Sequence, residues 1–278
     1  YISSYNPSFP TFFQQVDGIR SVFENKGIIL DIEFMDAKRF HEADAAKFFH
    51  TLLELKMKRL KPYDAVIVAD DAALRYAIRE QDRLFRGVPV FFCGINDADL
   101  AASLGKGDRM RGIVEAVSIR DTLELAGKLF AGRKKIAVIT DGTLSGKADL
   151  LRFSSESQGM DFHVSVLSLA DMTFDQLHYS LDKLDDEWTI LLLSCYTDKS
   201  GATRLFDEEF EQIMQPSGVP VFPLWEHGLG DGGLGGKIIS HIDQGRAAAE
   251  MVVKYFSGDR MPEIIMPAES PNRYMFDY

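Results

Sequence analysis

Apolar stretches of strand length alternate with longer stretches of helical period along most of the chain. Residues 64–69 and 189–194 form nearly continuous apolar runs, as is typical of parallel strands covered on both faces. Strand–helix–strand units joined by short loops require parallel pairing with right-handed crossovers, so the pattern predicts an α/β protein. The predicted strands cover about residues 31–34, 64–69, 88–93, 135–140, 162–167, 189–194, 219–222 and 263–266, and the predicted helices cover about 9–25, 43–60, 71–81, 121–130, 145–157, 174–184, 205–215 and 244–256.

This rhythm of strands and helices starts a second time near the middle of the chain, which predicts two doubly wound, Rossmann-like parallel sheets. The length of 278 residues suits two domains of ordinary size. We predict that residues 1–112 plus 243–278 form lobe 1 and that residues 113–242 form lobe 2. The last predicted helix and the last predicted strand are thereby assigned to lobe 1.

The charge balance argues against a nucleic-acid partner. The chain carries 42 acidic and 31 basic residues, a formal net charge of -11, whereas a protein that holds a phosphate backbone needs a basic face. The most basic segment, Lys56–Lys61, ends a predicted helix, where cations favourably meet the helix dipole. Cys93 and Cys195 each follow a buried strand in different lobes, so we predict two free thiols rather than a disulfide.

Signatures of catalysis, metal binding or phosphate binding are few. The six histidines show no HExxH or other metal-ligand spacing, and Ser145 does not stand in a GxSxG motif. His227 follows Glu226, but no nucleophile is visibly partnered with this pair. The glycines of 228–236 lead into a strand-like segment rather than a helix, which favours an interdomain crossing over a phosphate loop. We therefore expect no cofactor and no metal.

The ends of the predicted strands supply the candidate site. Ligands of open parallel sheets bind beyond the carboxyl ends of the strands. The residues found there are polar, aromatic or glycine, which suits a pocket with an apolar wall and a few fixed polar groups. In lobe 1 they are Ser3–Asn6, Asp70–Asp71 and Gly94–Asp97; in lobe 2 they are Asp141–Thr143, Cys195–Asp198 and Trp225–Gly228.

Each candidate also has a purely structural interpretation. Asp71, Asp97 and Asp141 precede predicted helices, where aspartate commonly serves as the N-cap. Tyr196 and Trp225 are of residue types that pack in cores more often than they contact ligands. The sequence leaves both interpretations open.

Several segments, in their order along the chain, are similar to one known family. They are Ser3–Tyr5, Asp64–Leu74, Pro89–Asn96, Gly112–Glu115, Asp141–Thr143, Asp243–Ala249 and the closing Asn272–Tyr278. With these segments the chain resembles the ABC-transporter-type substrate-binding family, whose members also occur as extracytoplasmic sensor domains of bacterial histidine kinases and diguanylate cyclases. The resemblance runs over nearly the whole chain, and the order of the motifs carries more weight than any single motif.

The resemblance implies a type I periplasmic-binding-protein fold, with two lobes joined by crossing segments near 110–119, 233–242 and 261–270. It implies that a small molecule, with amino acids among the candidates, is captured between the lobes, and that lobe closure is the signal. Asp70, Glu115 and Glu226 would meet a ligand ammonium, and Ser4, Thr143 and backbone N–H groups would meet a ligand carboxylate. The implied ligand-binding residues are Ser4, Tyr5, Asp70, Asn96, Glu115, Asp141, Thr143, Tyr196 and Glu226.

Three classes of function are compatible with this resemblance. The closing segment favours an extracytoplasmic sensor domain, on the periplasmic or extracellular side of the bacterial inner membrane. A soluble or lipid-anchored substrate-binding protein of an ABC transporter is the second class. The third is an enzyme on the same two-lobe fold, which fold alone does not exclude.

The expected partner is a small molecule, and an acidic pocket suits a polyamine or another cation as well as an amino acid. No apolar stretch approaches the ~18–20 residues that span a bilayer. We expect the sequence to be part of a longer protein that meets the membrane only through segments outside this chain. Receptors of this kind often work as homodimers, but no feature of the sequence indicates a dimer.

Overall fold

The computed structural model describes residues 1–37, 39–40, 42–104, 109–204, 210, 212–213, 218–259 and 270–277. The chain divides into two compact units. Unit 1 comprises Tyr1–Ala116 and Ser240–Pro271, and unit 2 comprises Val117–Ile239 and Asn272–Tyr278. The predicted strand over 263–266, nearly all of the third predicted crossing and most of the predicted helix over 205–215 lie outside the described residues.

Eleven strands are present in the described part of the chain, and most of them lie within about two residues of a predicted strand. The strands are β1 (Ile2–Ser3), β2 (Glu33–Phe34), β3 (Val66–Ala69), β4 (Val90–Ile95), β5 (Met110–Val114), β6 (Lys135–Thr140), β7 (His163–Ser168), β8 (Trp188–Leu192), β9 (Val221–Pro223), β10 (Gly235–Ile239) and β11 (Asn272–Phe276).

Eight α-helices and one short 3-10 helix, at Glu226–Gly228, connect these strands within the described residues. The α-helices are α1 (Pro10–Phe23), α2 (Glu42–Arg59), α3 (Asp70–Glu80), α4 (Ala98–Leu104), α5 (Ile119–Leu129), α6 (Leu144–Glu156), α7 (Phe174–Leu181) and α8 (His241–Phe256).

Unit 1 is built on a parallel five-stranded sheet with the strand order β2-β1-β3-β4-β5. Alternate residues of a strand point to opposite faces, so each central strand contributes to two cores. Val68 and Phe92 pack on one face against residues of α2 and α3, whereas Ile67 and Phe91 pack on the other against residues of α1 and α8. The nearly continuous apolar runs of the sequence therefore reflect a sheet that is covered on both faces.

Helices α1 and α8 pack closely because each carries a glycine at the contact. A Cβ atom on Gly18 would lie 2.0 Å from the carbonyl oxygen of Ile242, and a Cβ atom on Gly245 would lie 2.2 Å from the carbonyl oxygen of Gln15. Both distances are far shorter than van der Waals contact. Only glycine at these two positions permits this helix spacing.

Unit 2 contains a parallel four-stranded sheet with the order β7-β6-β8-β9 and a separate antiparallel pair, β10 and β11. Ile136 and Val138 pack with Leu123 of α5 and Phe153 of α6. Ile139, which alternates with them, packs on the opposite face with residues of α7. The predicted fold class, α/β with two doubly wound parallel sheets flanked by helices, is confirmed.

Two assignments of the sequence analysis differ from the structure. Residues 110–114, assigned there to the first crossing, form the edge strand β5, since the polar Arg111 and the small Gly112 break the apolar pattern of a strand. Residues 272–276, assigned there to lobe 1, form β11, which pairs with β10 in unit 2. Backbone hydrogen bonds, which leave no trace in a hydrophobic pattern, decide the second case.

The two cysteines are both buried and both free, as predicted. Burial raises the pKa of the Cys93 thiol well above its ordinary value, and the nearby carboxylates of Asp70 and Glu115 add to the rise. This thiol is therefore protonated and poorly reactive at neutral pH. Among the described helices, none has the length and apolar character needed to cross a membrane.

We expect Gly245→Ala to destabilise unit 1, because the added methyl group meets the backbone of α1 and forces the two helices apart. Overpacking of this kind lowers the free energy of unfolding by about 1–3 kcal/mol. Gly132→Ala is the matched control, since no atom lies within 4 Å of its Cβ position. Urea unfolding compares the two variants, and equal stabilities would contradict a glycine-dependent contact.

Candidate functional site

The carboxyl ends of four neighbouring strands in unit 1 bring several of the predicted residues to a single edge of the sheet. The strands β1, β3, β4 and β5 are parallel neighbours, so their carboxyl ends point the same way. This is the edge at which open α/β sheets bind ligands. The side chains that follow these strands are Ser4 and Tyr5 after β1, Asp70 and Asp71 after β3, Asn96 and Asp97 after β4, and Glu115 after β5.

Asp70 is held in a strained conformation. Its φ angle is +66°, in the left-handed region that favours glycine, and its side chain is buried with 4% exposure. Such backbone strain costs about 1–3 kcal/mol and persists where the surrounding structure enforces it, often at functional sites. Gly94, near the end of the neighbouring strand β4, leaves room for this side chain. A Cβ atom on Gly94 would lie only 2.8 Å from Oδ1 of Asp70.

Buried amide side chains form a polar layer beside Asp70. Gln15 and Gln244 are both fully buried. The hydroxyl of Tyr1 donates to Oε1 of Gln15 at 2.7 Å, and the backbone N–H of Gly94 donates to Oε1 of Gln244 at 3.2 Å. Nε2 of Gln15 lies 3.1 Å from the Cβ position of Gly94 and donates to no atom in the described part of the chain. Donors and acceptors are thus arranged in an otherwise apolar interior.

Four carboxylates, Asp70, Asp71, Asp97 and Glu115, make up what we call the acidic edge of unit 1. The backbone N–H of Asp97 donates to Oδ1 of Asp71 at 3.2 Å, which ties the ends of β3 and β4 together. Burial raises the pKa of Asp71, and the neighbouring carboxylates of Asp97 and Glu115 add to the rise. The acidic edge is therefore a place where one more positive charge would be favourable.

Glu115 is buried at the end of β5 and lies opposite a histidine of α8. Oε2 of Glu115 and Nε2 of His241 are 3.5 Å apart, and the two residues are 6% and 3% exposed. Nδ1 of His241 has no hydrogen-bond partner among the described atoms. The first residue of α8 is thus part of the site, although its place in the sequence, far from the strands of lobe 1, concealed it.

The buried side chain of Ser4 forms hydrogen bonds with the backbone around Asp70. Its hydroxyl donates to the carbonyl oxygen of Ala69 at 2.8 Å and accepts from the backbone N–H of Ala73 at 2.8 Å. These bonds join the end of β1 to the first turn of α3 and hold Asp70 between them. Tyr5, the next residue, is half-buried and packs against Phe9 with ring centroids 4.4 Å apart.

In unit 2, Asp141 organises the corresponding edge. Its Oδ1 accepts from the backbone N–H of Thr143 at 3.0 Å, and its Oδ2 accepts from the backbone N–H of Tyr196 at 2.8 Å. Thr143 in turn caps α6 by accepting from the N–H of Gly146. Because both carboxylate oxygens bond within the unit, the structure favours a positioning role for Asp141 over direct ligand contact.

The other predicted residues lie at strand ends with differing exposure. Asn96 follows β4 and is exposed. Tyr196 is 37% exposed in the segment after β8. Glu226, after β9, begins the 3-10 helix and is half-buried. Their role in ligand binding stays a prediction.

Two further features bear on where a ligand or a metal ion could bind. A surface depression of about 400 Å³ lies between α1 and α8, where it is lined by Lys26, Arg246, Glu250 and Lys254. It lies beside the last residues of α1, which lead back to the amino ends of the strands and away from the acidic edge. In the described part of the chain, no group of three or more His, Cys, Asp or Glu side chains is arranged to hold a metal ion.

Comparison with known proteins shows the fold. No protein-family model and no curated protein matches the chain. The ligand-free, open form of CD0873, a substrate-binding protein with adhesive properties from Clostridium difficile, is similar with a TM-score of 0.70 and 16% identity, over 99% of this chain and 90% of that one. An ABC domain in complex with L-Trp from Streptococcus pneumonia gives a TM-score of 0.60 and 18% identity, over 98% and 87% of the two chains.

A chain of the complex between the TorS sensor domain and TorT, in the absence of ligand, gives a TM-score of 0.64 and 12% identity, over 99% of this chain and 92% of that one. At these identities the similarity shows the fold and nothing finer. The chain has the two-lobe fold of type I periplasmic-binding-protein-like proteins, as the resemblance implied.

We expect Asp71→Asn to stabilise the protein at neutral pH. The folded chain holds the proton of Asp71 more tightly than the unfolded chain, so its ionisation works against folding. This penalty is absent below the ordinary aspartate pKa of about 3.9 and complete once the pH exceeds the raised pKa. The variant keeps an oxygen for the N–H of Asp97, so its melting temperature should exceed the parent's at neutral pH and match it in acid.

Asp82→Asn is the control for this comparison, because the side chain of Asp82 is 96% exposed. It should leave the melting temperature unchanged throughout. A lower melting temperature for Asp71→Asn at neutral pH would contradict this expectation. It would show that the attraction between the charged carboxylate and the positive N-terminal end of α3 outweighs the cost of its burial.

Proposed function

We propose that the chain is a binding module that captures a small molecule bearing an ammonium group, with amino acids as the first candidates, and holds it without chemical change. The observation that carries the proposal is the acidic edge of unit 1, where four carboxylates meet at the strand ends around the strained Asp70. An ammonium group placed there would be attracted by the negative charge of these carboxylates.

The electrostatics of the acidic edge support a cationic ligand group. Arg75, a cation whose charge acts on Asp71 and Asp97, is engaged in a bidentate pair with Glu42 at 2.9 and 2.7 Å. The raised pKa of Asp71 shows that neighbouring positive charge does not compensate its burial. A ligand ammonium would lower that pKa and add charge-assisted hydrogen bonds.

The aromatic pair of Tyr5 and Phe9 supplies an apolar contact beside the strand ends. Rings of this kind pack against side chains and attract cations over their faces. The hydroxyl proton of Ser4 is donated to Ala69 and that of Thr143 to Asp141, so we propose that backbone N–H groups hold a ligand carboxylate instead. Contributions of Tyr196 and Glu226, and capture between the lobes, stay predictions.

We further propose that binding serves sensing in a membrane receptor outside the cytoplasm. The resemblance of Asn272–Tyr278 to the tails of sensor domains supports this role, and the similarity to a chain of the TorS–TorT complex is consistent with it. Delivery of substrate to an ABC transporter is the second candidate, which the similarity to CD0873 favours. A downstream membrane-spanning helix with a kinase or cyclase domain would support sensing, and a neighbouring permease gene would support transport.

We expect Asp70→Asn to weaken ligand binding strongly. Asparagine tolerates a positive φ angle, so the fold is kept while the charge is lost. Loss of one charge-assisted contact should weaken binding by about 1.5–3 kcal/mol, or roughly ten- to a hundredfold. A thermal-shift panel of amino acids, polyamines, nucleosides and organic acids identifies the ligand, and isothermal titration measures the variant against Asp82→Asn.

The panel includes matched analogues of each hit. A deaminated analogue should not bind, whereas the decarboxylated amine should keep part of the affinity, because the acidic edge recognises the ammonium. Tight binding of the deaminated analogue would contradict the proposed role of these carboxylates. Mass spectrometry of the ligand after incubation should return it unchanged, and a converted product would favour an enzyme.

A further inference from the structure

Helix α2 carries an apolar stripe that is exposed in the described part of the fold. Phe48, Leu52 and Leu55 recur at the i, i+4, i+7 spacing of one helix face and are 68%, 49% and 51% exposed. The buried residues of the same helix, among them Phe49 and Leu53, face the core of unit 1 instead. The stripe is thus an additional apolar face beside the one that anchors the helix.

Charges of opposite sign stand at the two ends of this stripe. The first turn of α2 is acidic and the last turn is basic. Asp44 and Arg59 continue the helical spacing of the stripe at its two ends, four residues before Phe48 and four residues after Leu55, and both are exposed. Among the described residues neither one forms a salt bridge, whereas Lys56 pairs with Glu33 and Lys58 with Glu54.

These features make the stripe complementary to a second copy of itself. A two-fold axis through its middle, between residues 51 and 52, places the helices antiparallel. Phe48 then faces Leu55 of the second copy, Leu52 lies near its own counterpart, and Asp44 faces Arg59 of the second copy. Self-complementary patches of this kind are what a two-fold homodimer requires, since each contact occurs twice.

We propose that the exposed face of α2 is a homodimer interface in which two copies of the chain pack antiparallel about this axis. A second copy is favoured over another partner because the stripe is acidic at one end and basic at the other. An antiparallel copy therefore brings opposite charges together at both ends. One helix pair buries a small area, so the association is weak and depends on protein concentration. The inference rests on unit 1 alone and does not depend on the proposed function.

The decisive experiment reverses the end charges one at a time and then mixes the variants. Asp44→Arg brings two arginines together at each end of the helix pair, and Arg59→Asp brings two aspartates together. Each variant alone should therefore dimerise about tenfold more weakly than the parent in sedimentation equilibrium. A mixture of the two single variants should associate again, and so should the double variant. No loss of folding can produce that recovery.

Cross-linking tests the position of the axis. The native cysteines are buried, so Leu52→Cys adds the only exposed thiol of the described residues, close to its own counterpart in the dimer. Under mild oxidation it should form a disulfide dimer about tenfold faster than Leu151→Cys, since the interface raises the effective concentration of the thiol. Leu151 is the matched control because it is a leucine of α6 that is 73% exposed.

A parent chain that stays monomeric up to about 1 mM would overturn the proposal. Single charge reversals that leave association unchanged, or a mixture that does not recover it, would overturn it as well and would direct attention to a different partner for the stripe. The two single charge variants and the double variant should bind ligand like the parent. Failure of the dimer and failure of the proposed function are therefore distinguishable.

Discussion

The parallel pairing of strands that are buried on both faces is the constraint on which the rest of the structure depends. Residues 66–69 and 90–93 pair in register and alternate between two cores, so helices must cover both sides of the sheet. Because the strands of this sheet run parallel, their carboxyl ends lie at one edge. Acidic residues that are distant in sequence meet there, and the polar ends of the strands form the candidate site.

The same edge carries features that work against stability. Asp70 occupies a left-handed conformation, Asp71 has a raised pKa, and Gln15 has a buried amide donor without a partner in the described part of the chain. Natural proteins tolerate such local conflicts mainly where function requires them. The glycines of α1 and α8 contribute to this edge as well. The close helix packing that they permit places Gln15 and Gln244 beside Gly94.

Sequence patterns identified the unit-1 edge but not its full composition. Asp70 could be predicted because it directly follows an apolar run, whereas Glu115 was implied by the family resemblance alone. Gln15 lies on the apolar face of a helix beside Val16, and that polar interruption was the one signal of its role. Gln244 and His241 had no such signal in the hydrophobic pattern, because they reach the site from α8, which follows residues 117–239 of unit 2 in the chain. Strand β5 was not predicted, because Arg111 and Gly112 break its apolar run.

The sequence by itself determined the α/β class, the alternation of strands and helices and the strand ends at which polar groups gather, because hydrophobic periodicity is a local property. Only the tertiary structure decided how those groups act. It gives Ser4 and Asp141 hydrogen bonds within their own units and places Asp70 in a left-handed conformation. It brings Glu115 next to His241 and leaves one face of α2 exposed in the described part of the fold. Each of these depends on contacts between residues far apart in the chain, and no local pattern encodes such contacts.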